Sequence, residues 1–362
     1  MLVGIAIGQL FPSVRPLISA DLVLLVLVPG LIFDAAFDLE WPAVRGLLPA
    51  LLGLAIPGVV VSAVVVAFAL NLGVGLPLGL AFVVGAITAA TDPVAVVATL
   101  ARLRMPHRLR ALIEGESLFN DGTGLALVAI AVRAITSDLS TADAAGSFVL
   151  GIAATAVIGL PVGIAGAWLV RLGRTAALGF VISVIYIYAA FGLASSLSLS
   201  GVLVTVVAAM TMGHMLRATW GEAAVTRDID RAWAVIAFAL SAVAFLAMGV
   251  VVELGSLATS LGAIAIGVVA VVAARAAIVY IPFLILRSVP VGWAHVLFWS
   301  GLRGAIAFAA VLALPRDFPQ RQLLQDISLG IVLFTLVVNG TTAPLVIRAA
   351  IPGRAEDSRA ED

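Results

Sequence analysis

Long apolar runs follow one another along almost the whole chain, and they limit the possible fold more than any other feature of the sequence. About 20 apolar residues in a helix are enough to cross the roughly 30 Å hydrocarbon core of a bilayer. About twelve such segments are separated by short stretches rich in arginine, proline and glycine. Only 11% of the 362 residues are charged, against about 25% in ordinary soluble domains. The sequence therefore predicts an all-α polytopic membrane protein with about twelve transmembrane helices.

The arginines are distributed unevenly between the loops, and this sets the expected orientation. If the segments alternate in direction, most arginines fall on one side, including those at 102–110 and those near the C-terminus. Cytoplasmic loops carry such an excess, so we expect a multi-pass protein of the cell (inner or plasma) membrane with a cytoplasmic C-terminus. Residues 1–350 are predicted to form one transmembrane domain, and residues 351–362 a short cytoplasmic tail. Residues 1–10 are apolar but too short to span a bilayer, which we interpret as truncation at the N-terminus.

Composition also removes several classes of function. The net charge is zero and cysteine is absent, so neither nucleic-acid binding nor disulfide or thiol chemistry is indicated. None of the basic residues is lysine, which excludes a membrane Schiff base. No nucleotide-binding motif is present. We therefore expect no cofactor, and the expected surroundings are the lipid bilayer.

One apolar run contains a dense polar stretch at residues 114–124. It includes two glutamates, an asparagine, an aspartate and two hydroxyl side chains, and Asp121 would lie near the bilayer midplane. One aspartate at the centre of a membrane helix costs at least about 2.5–3.5 kcal/mol on insertion scales, so ionisable groups at this depth indicate a pathway for ions or protons.

Two other runs have a strong internal interruption. In residues 76–101, Thr91-Asp92-Pro93 places a charge and a proline at mid-span. In residues 291–314, Arg303 stands between two glycines. Broken helices in corresponding positions of two halves are typical of secondary transporters built from inverted repeats, with the substrate site where the breaks meet. We expect the two broken helices to cross at the ion site.

The residues near these interruptions include oxygen ligands for a cation. Ser117 and Asp121 are four residues apart and share one helix face. Pro93 removes a helical hydrogen bond and frees carbonyl oxygens near Thr91. Such oxygens are the ligands that a hard cation prefers, so Asp121, Ser117 and the carbonyl near Thr91 could form a cation site. Asp34 is a further candidate ligand, and the alternative for it is an ordinary charge at the membrane interface.

Four charged residues in these runs have expected structural roles. Glu116 and Arg275 both lie at mid-membrane, and a buried ion pair is far cheaper than either charge alone, so we expect a salt bridge between them. Asp92 and Arg303 lie at the two breaks, where the ends of half-helices expose partial charges. Asp92 would neutralise helix N-termini, and Arg303 would neutralise helix C-termini.

Three motifs together resemble a known family. The sequence Glu-Ser-Leu-Phe-Asn-Asp-Gly at 116–122, with 91–93 upstream and 301–308 downstream, is similar to the cation:proton antiporters of the NhaP and animal sodium/proton exchanger branch. The resemblance implies that Asp121 binds either a proton or Na⁺, and that its partner Asn120 marks the electroneutral branch. It also implies about thirteen helices and a homodimer.

The same resemblance implies a fuller set of site residues. The cation site would be completed by Ser117, the carbonyl of Thr91 and Asp34. Glu116 would pair with Arg275. In some relatives the acid on the second segment is glutamate, so the shorter Asp34 could change ligand distances or ion preference.

The combined interpretation is an electroneutral Na⁺/H⁺ antiporter in which one cation and one proton compete for Asp121. The alternative within the same fold is a K⁺/H⁺ antiporter, because the same oxygens could form a slightly larger cage. From a different class, an intramembrane aspartyl protease could use Asp92 and Asp121 as a carboxylate pair. The Gly-x-Gly-Asp and Tyr-Asp patterns expected for such a protease are missing from the sequence.

Overall fold

The structure is a computed structural model that describes residues 1–92, 106–137, 140–220, 224–286 and 290–350. Within these ranges all the regular elements are helical, as the apolar runs predict. Pro93, with the rest of 93–105, lies outside the described residues, and so does the predicted tail at 351–362.

The described residues form sixteen α-helices, which are numbered here in chain order: α1 Leu2–Leu10, α2 Val28–Phe37, α3 Trp41–Arg45, α4 Leu48–Ala55, α5 Pro57–Val74, α6 Leu78–Ile87, α7 His107–Thr136, α8 Thr141–Leu172, α9 Ala176–Ser196, α10 Gly201–Trp220, α11 Ala224–Val251, α12 Leu254–Thr259, α13 Leu261–Leu286, α14 Val291–Trp299, α15 Ala305–Leu312 and α16 Arg321–Ala350. A 3-10 helix, Pro12–Leu17, follows α1, and a π-helical stretch, Leu22–Leu27, continues directly into α2.

Eight helical stretches of the described residues are long and apolar enough to cross a membrane. One of them, Leu48–Val74, combines α4 and α5. Pro57 is the first residue of α5, where its missing N–H breaks no helical hydrogen bond. At the other end, Gly75 has a φ of 75°, a left-handed conformation that suits glycine and ends the helix.

The run at 256–286, which the hydropathy pattern predicts as one segment, is divided into α12 and α13. The hydroxyls of Ser256 and Ser260 donate to the Asp326 carboxylate on α16, at 2.5 and 3.2 Å. These contacts hold α12 and Ser260, the residue that follows it, against α16. Hydropathy alone does not show such a division, because both pieces are apolar.

Helix α7 lies at the centre of the protein. It packs against α4 and α6 on the N-terminal side of the chain and against α8, α10 and α15 on the C-terminal side. Its polar stretch is buried throughout, from Gly115 to Gly124 except for Phe119. The Glu116, Asn120 and Asp121 side chains therefore lie in the protein interior, where each needs a partner.

The two helix interruptions meet beside α7. The first follows α6 and contains Thr91 and Asp92, and the second lies between α14 and α15 and contains Leu302 and Arg303. The backbone N–H of Asp92 donates to the Leu302 carbonyl at 2.7 Å. A backbone donor at one break is therefore paired with a backbone acceptor at the other. Irregular backbone at membrane depth is tolerated where protein covers it.

Candidate ion-binding site

A hydrogen-bond network joins α7 to the first break. The Asn120 amide donates to Thr91 Oγ1 and to Glu116 Oε1, both at 2.7 Å. The Asn120 amide oxygen accepts from the Thr91 backbone N–H at 3.2 Å. The hydroxyls of Thr91 and Ser117 lie 3.1 Å apart. Asn120 therefore fixes the interrupted backbone to α7 through two hydrogen bonds with Thr91, and a third bond joins it to Glu116.

Glu116 and Arg275 form a buried ion pair between α7 and α13. The two guanidinium Nη atoms of Arg275 donate to the two Glu116 carboxylate oxygens, at 2.7 and 3.1 Å. Arg275 also donates to the Leu297 carbonyl near the end of α14, at 2.8 Å. Both residues are buried, and the paired geometry is the one in which guanidinium and carboxylate interact most strongly. The contact expected from the sequence is present.

Asp92 and Arg303 each contact the end of a helix from the opposite break. The Arg303 guanidinium donates to the carbonyls of Ala89 and Ala90, at 2.6 and 2.9 Å, just after α6. The Asp92 carboxylate accepts from the Ala305 backbone N–H, the first of α15, at 3.4 Å. Each side chain therefore places its charge against a helix end of opposite partial charge, as the sequence predicts.

Gly304 allows the two breaks to approach each other, and Gly304→Ala is expected to lower stability. A Cβ at this position would overlap the Asp92 carboxylate. Overpacking of this kind costs about 1–3 kcal/mol, so the midpoint of thermal unfolding in detergent should fall. Gly124→Ala is the matched control. The nearest atoms to its new Cβ would belong to Ala90, at 3.5 Å, which is an ordinary van der Waals contact. Equal midpoints for the two variants would contradict this close approach.

Asp121 lies in a different environment from Glu116, although both belong to α7. It is buried, with 5% of its surface exposed. It lines a cavity of about 40 Å³ together with Asp92 and Gly304 from the breaks. No residue of the described ranges forms a salt bridge with Asp121 within 4 Å. The cavity therefore contains a buried carboxylate that no arginine of these ranges neutralises by direct contact.

The predicted ligand set is only partly brought together. Asp121, Ser117 and Thr91 lie in one contiguous region of α7 and the first break. The predicted ligand at Thr91 is its carbonyl, whereas the described hydrogen bonds of Thr91 to Asn120 and Ser117 use its N–H and hydroxyl. Asp34 is half-buried on α2 and does not line the Asp121 cavity among the described residues, although its neighbour Ala35 does. The charged side chains that interact with Asp34 electrostatically include two other acids, Asp38 and Asp230.

Two residues of α11 that line the cavity are absent from the sequence prediction. Ser241 and Phe245 on α11 line the Asp121 cavity together with residues of α2 and α15. Ser241 is a polar residue in an apolar run, which was the available signal. Thr335 on α16 was also missed, and its hydroxyl accepts from the Arg303 backbone N–H at 3.2 Å.

Comparison with known proteins identifies the family of this chain. Residues 1–349 match the model of a family described as sodium/hydrogen exchanger, transmembrane. The chain is 34% identical to the low-affinity Na⁺/H⁺ antiporter NhaS1 of Synechocystis over 96% of this chain and 68% of that protein. It is 32% identical to the Na⁺/H⁺ antiporter NhaG of Bacillus atrophaeus, over 99% of this chain and 71% of that protein.

The fold is also that of a solved structure. The sodium proton antiporter MjNhaP1 of Methanocaldococcus jannaschii, in its structure at pH 8, superposes with a TM-score of 0.78 at 14% identity. The match covers 97% of this chain and 91% of that one. The predicted all-α membrane fold and the predicted resemblance are both confirmed. The chain belongs to the transmembrane sodium/hydrogen exchanger family.

Proposed function

We propose that this protein exchanges one Na⁺ for one proton across the membrane without net charge movement, and that both ions use Asp121. Family membership and the named Na⁺/H⁺ antiporters among its relatives support the exchange itself. The observation that carries the site is the difference between the two buried acids of α7. Glu116 is neutralised by Arg275, whereas Asp121 faces a cavity without such a partner in the described residues.

Competition follows from the charge of one carboxylate. A buried carboxylate in a membrane span must be neutralised, and a proton or a monovalent cation each supplies one positive charge. Asp121 cannot hold both at once, because either ion removes the attraction for the other. If the protein changes conformation only when Asp121 is occupied, each cycle moves one cation in one direction and one proton in the other.

The proposed cation ligands are Asp121, Ser117, Thr91 and Asp34. The first three lie together on α7 and the first break. Asp34 is on α2, whose residues Leu31 and Ala35 form part of the Asp121 cavity. Helices α4–α7 with α12–α16 would move as one unit against the remaining helices, since α5 packs against both α6 and α13. Such a movement is alternating access around a fixed site.

Membrane placement and assembly are part of the same proposal. We place the protein in the cell membrane with a cytoplasmic C-terminus, since arginines are concentrated on that side of the predicted segments. Homodimer formation is proposed from the resemblance to exchangers.

The alternative of an intramembrane aspartyl protease is not favoured by the family or fold matches.

Electroneutral exchange is tested in proteoliposomes that contain a pH-sensitive dye. Addition of Na⁺ or Li⁺ to the outside should move protons out of the vesicles, and a potential imposed with valinomycin and K⁺ should not change the rate, because no net charge crosses. Protein-free vesicles are the control. A rate that follows the imposed potential would contradict the one-for-one stoichiometry. A larger response to K⁺ than to Na⁺, measured without valinomycin, would favour the K⁺/H⁺ alternative.

A further inference from the structure

Three residues that line one small cavity carry buried polar atoms without a hydrogen-bond partner in the described residues. The atoms are Oγ of Ser62 on α5, Nε of Arg275 on α13 and Nε of Arg303 at the second break. The exposed fractions of the three residues are 4%, 7% and 2%. Glu116 and Asn120 line the same cavity. Its lining shares no residue with the cavity of the transported ion.

Such a coincidence needs a physical explanation. Buried donors are nearly always paired, and an unpaired N–H of a charged group is especially costly. The residues that carry these three atoms come from three separate elements and line one space, so a single occupant could satisfy all of them. The cavity volume is about 10 Å³, which is the space that one water molecule needs.

The charges around the cavity select the kind of occupant. Two arginine N–H groups require an acceptor and oppose a cation. The Glu116 carboxylate, which lines the same cavity, opposes an anion. A water molecule is neutral, accepts two hydrogen bonds and donates two, and buried waters typically make about three bonds to groups that would otherwise be unsatisfied.

We propose that this cavity binds one ordered water molecule, which accepts from Nε of Arg275 and Nε of Arg303 and donates to Oγ of Ser62. The water would connect two separate parts of the site. Arg275 holds the buried Glu116, and Arg303 holds the carbonyls after α6. Ser62 then fixes the joined pair to α5, which makes it a positioning residue that does not touch the transported ion.

The direct test is an experimental structure of the full chain at a resolution that shows ordered waters. A peak should lie within about 2.7–3.2 Å of all three atoms. An empty cavity, or Nε atoms bonded to protein groups instead, would overturn the proposal. Crystals soaked in bromide separate water from an anion, since an anomalous peak in the cavity would identify an anion site and also overturn it. None of these results depends on transport.

Two substitutions at Ser62 test its part in the site. Ser62→Ala keeps the space and two of the three partners, so the water peak should remain. Ser62→Val adds methyl groups that fill the space, so the peak should disappear. If the proposed exchange holds, the alanine variant should keep its rate within about threefold, whereas the valine variant should lose about tenfold or more, because both Nε–H groups are then unsatisfied. A water peak that persists in Ser62→Val would contradict the assignment.

Discussion

Proteoliposomes that contain Asp121→Asn are expected to show no proton movement when Na⁺ is added. Asparagine keeps the size and one oxygen of the side chain but cannot carry a negative charge or release a proton. Loss of a unit charge about 4 Å from a monovalent cation removes about 4 kcal/mol at an effective dielectric constant of about 20, which corresponds to about a thousandfold weaker binding. The dye assay measures this loss directly.

Asp228→Asn is the matched control for this substitution. Asp228 is an exposed aspartate on α11, 3.6 Å from Arg231, with 55% of its side chain accessible. The same chemical change there should leave exchange unaltered, because the charge is already solvated. Normal unfolding behaviour of Asp121→Asn would show that the loss is one of binding. Exchange that survives in Asp121→Asn at the rate of Asp228→Asn would remove Asp121 from the mechanism.

Arg275→Met should produce the largest loss of stability. The substitution leaves Glu116 as a charge buried in the membrane interior, since Arg275 donates two hydrogen bonds to it. Breaking a buried ion pair on one side costs about 3–5 kcal/mol. The midpoint of thermal unfolding in detergent, followed by tryptophan fluorescence, should therefore fall far more than for an exposed arginine such as Arg231.

The double variant with Glu116→Gln and Arg275→Met distinguishes an unpaired charge from lost packing. Glutamine keeps an oxygen that can accept from Asn120 Nδ2, as Glu116 does at 2.7 Å, and no buried charge remains. Replacing both members of a buried pair is often close to neutral, so most of the stability should return. If the double variant is less stable than Arg275→Met alone, the unpaired carboxylate is not the cause of the loss.

The parts of the site that depend on charge in an apolar run could be predicted from the sequence. Glu116 and Arg275 lie at similar depth in separate runs, and a buried pair is far cheaper than either charge alone. Asp92 and Arg303 could be assigned to helix ends, because each lies at an interruption. Depth in the membrane indicates the first contact, and the position of a charge at a helix interruption indicates the others.

The remaining details depend on helix rotation and on side-chain direction, which the sequence does not specify. Asp34 was expected among the cation ligands, yet Leu31, Ile32 and Ala35 are the α2 residues that line the Asp121 cavity. Ser62 shows no pattern in the sequence that distinguishes it from a serine bonded to its own helix. Its importance depends on two arginines from distant parts of the chain.

Proton release on Na⁺ binding is the measurement that most directly tests competition at Asp121. Na⁺ is added to purified protein in weakly buffered detergent solution, and bound Na⁺ and released protons are measured in the same sample over a range of pH. Because the ion displaces the proton from one carboxylate, release should approach about one proton per Na⁺ at low pH and fall towards zero as pH rises. Asp121→Asn should release none. Na⁺ binding without proton release at any pH, or undiminished release from Asp121→Asn, would contradict the account.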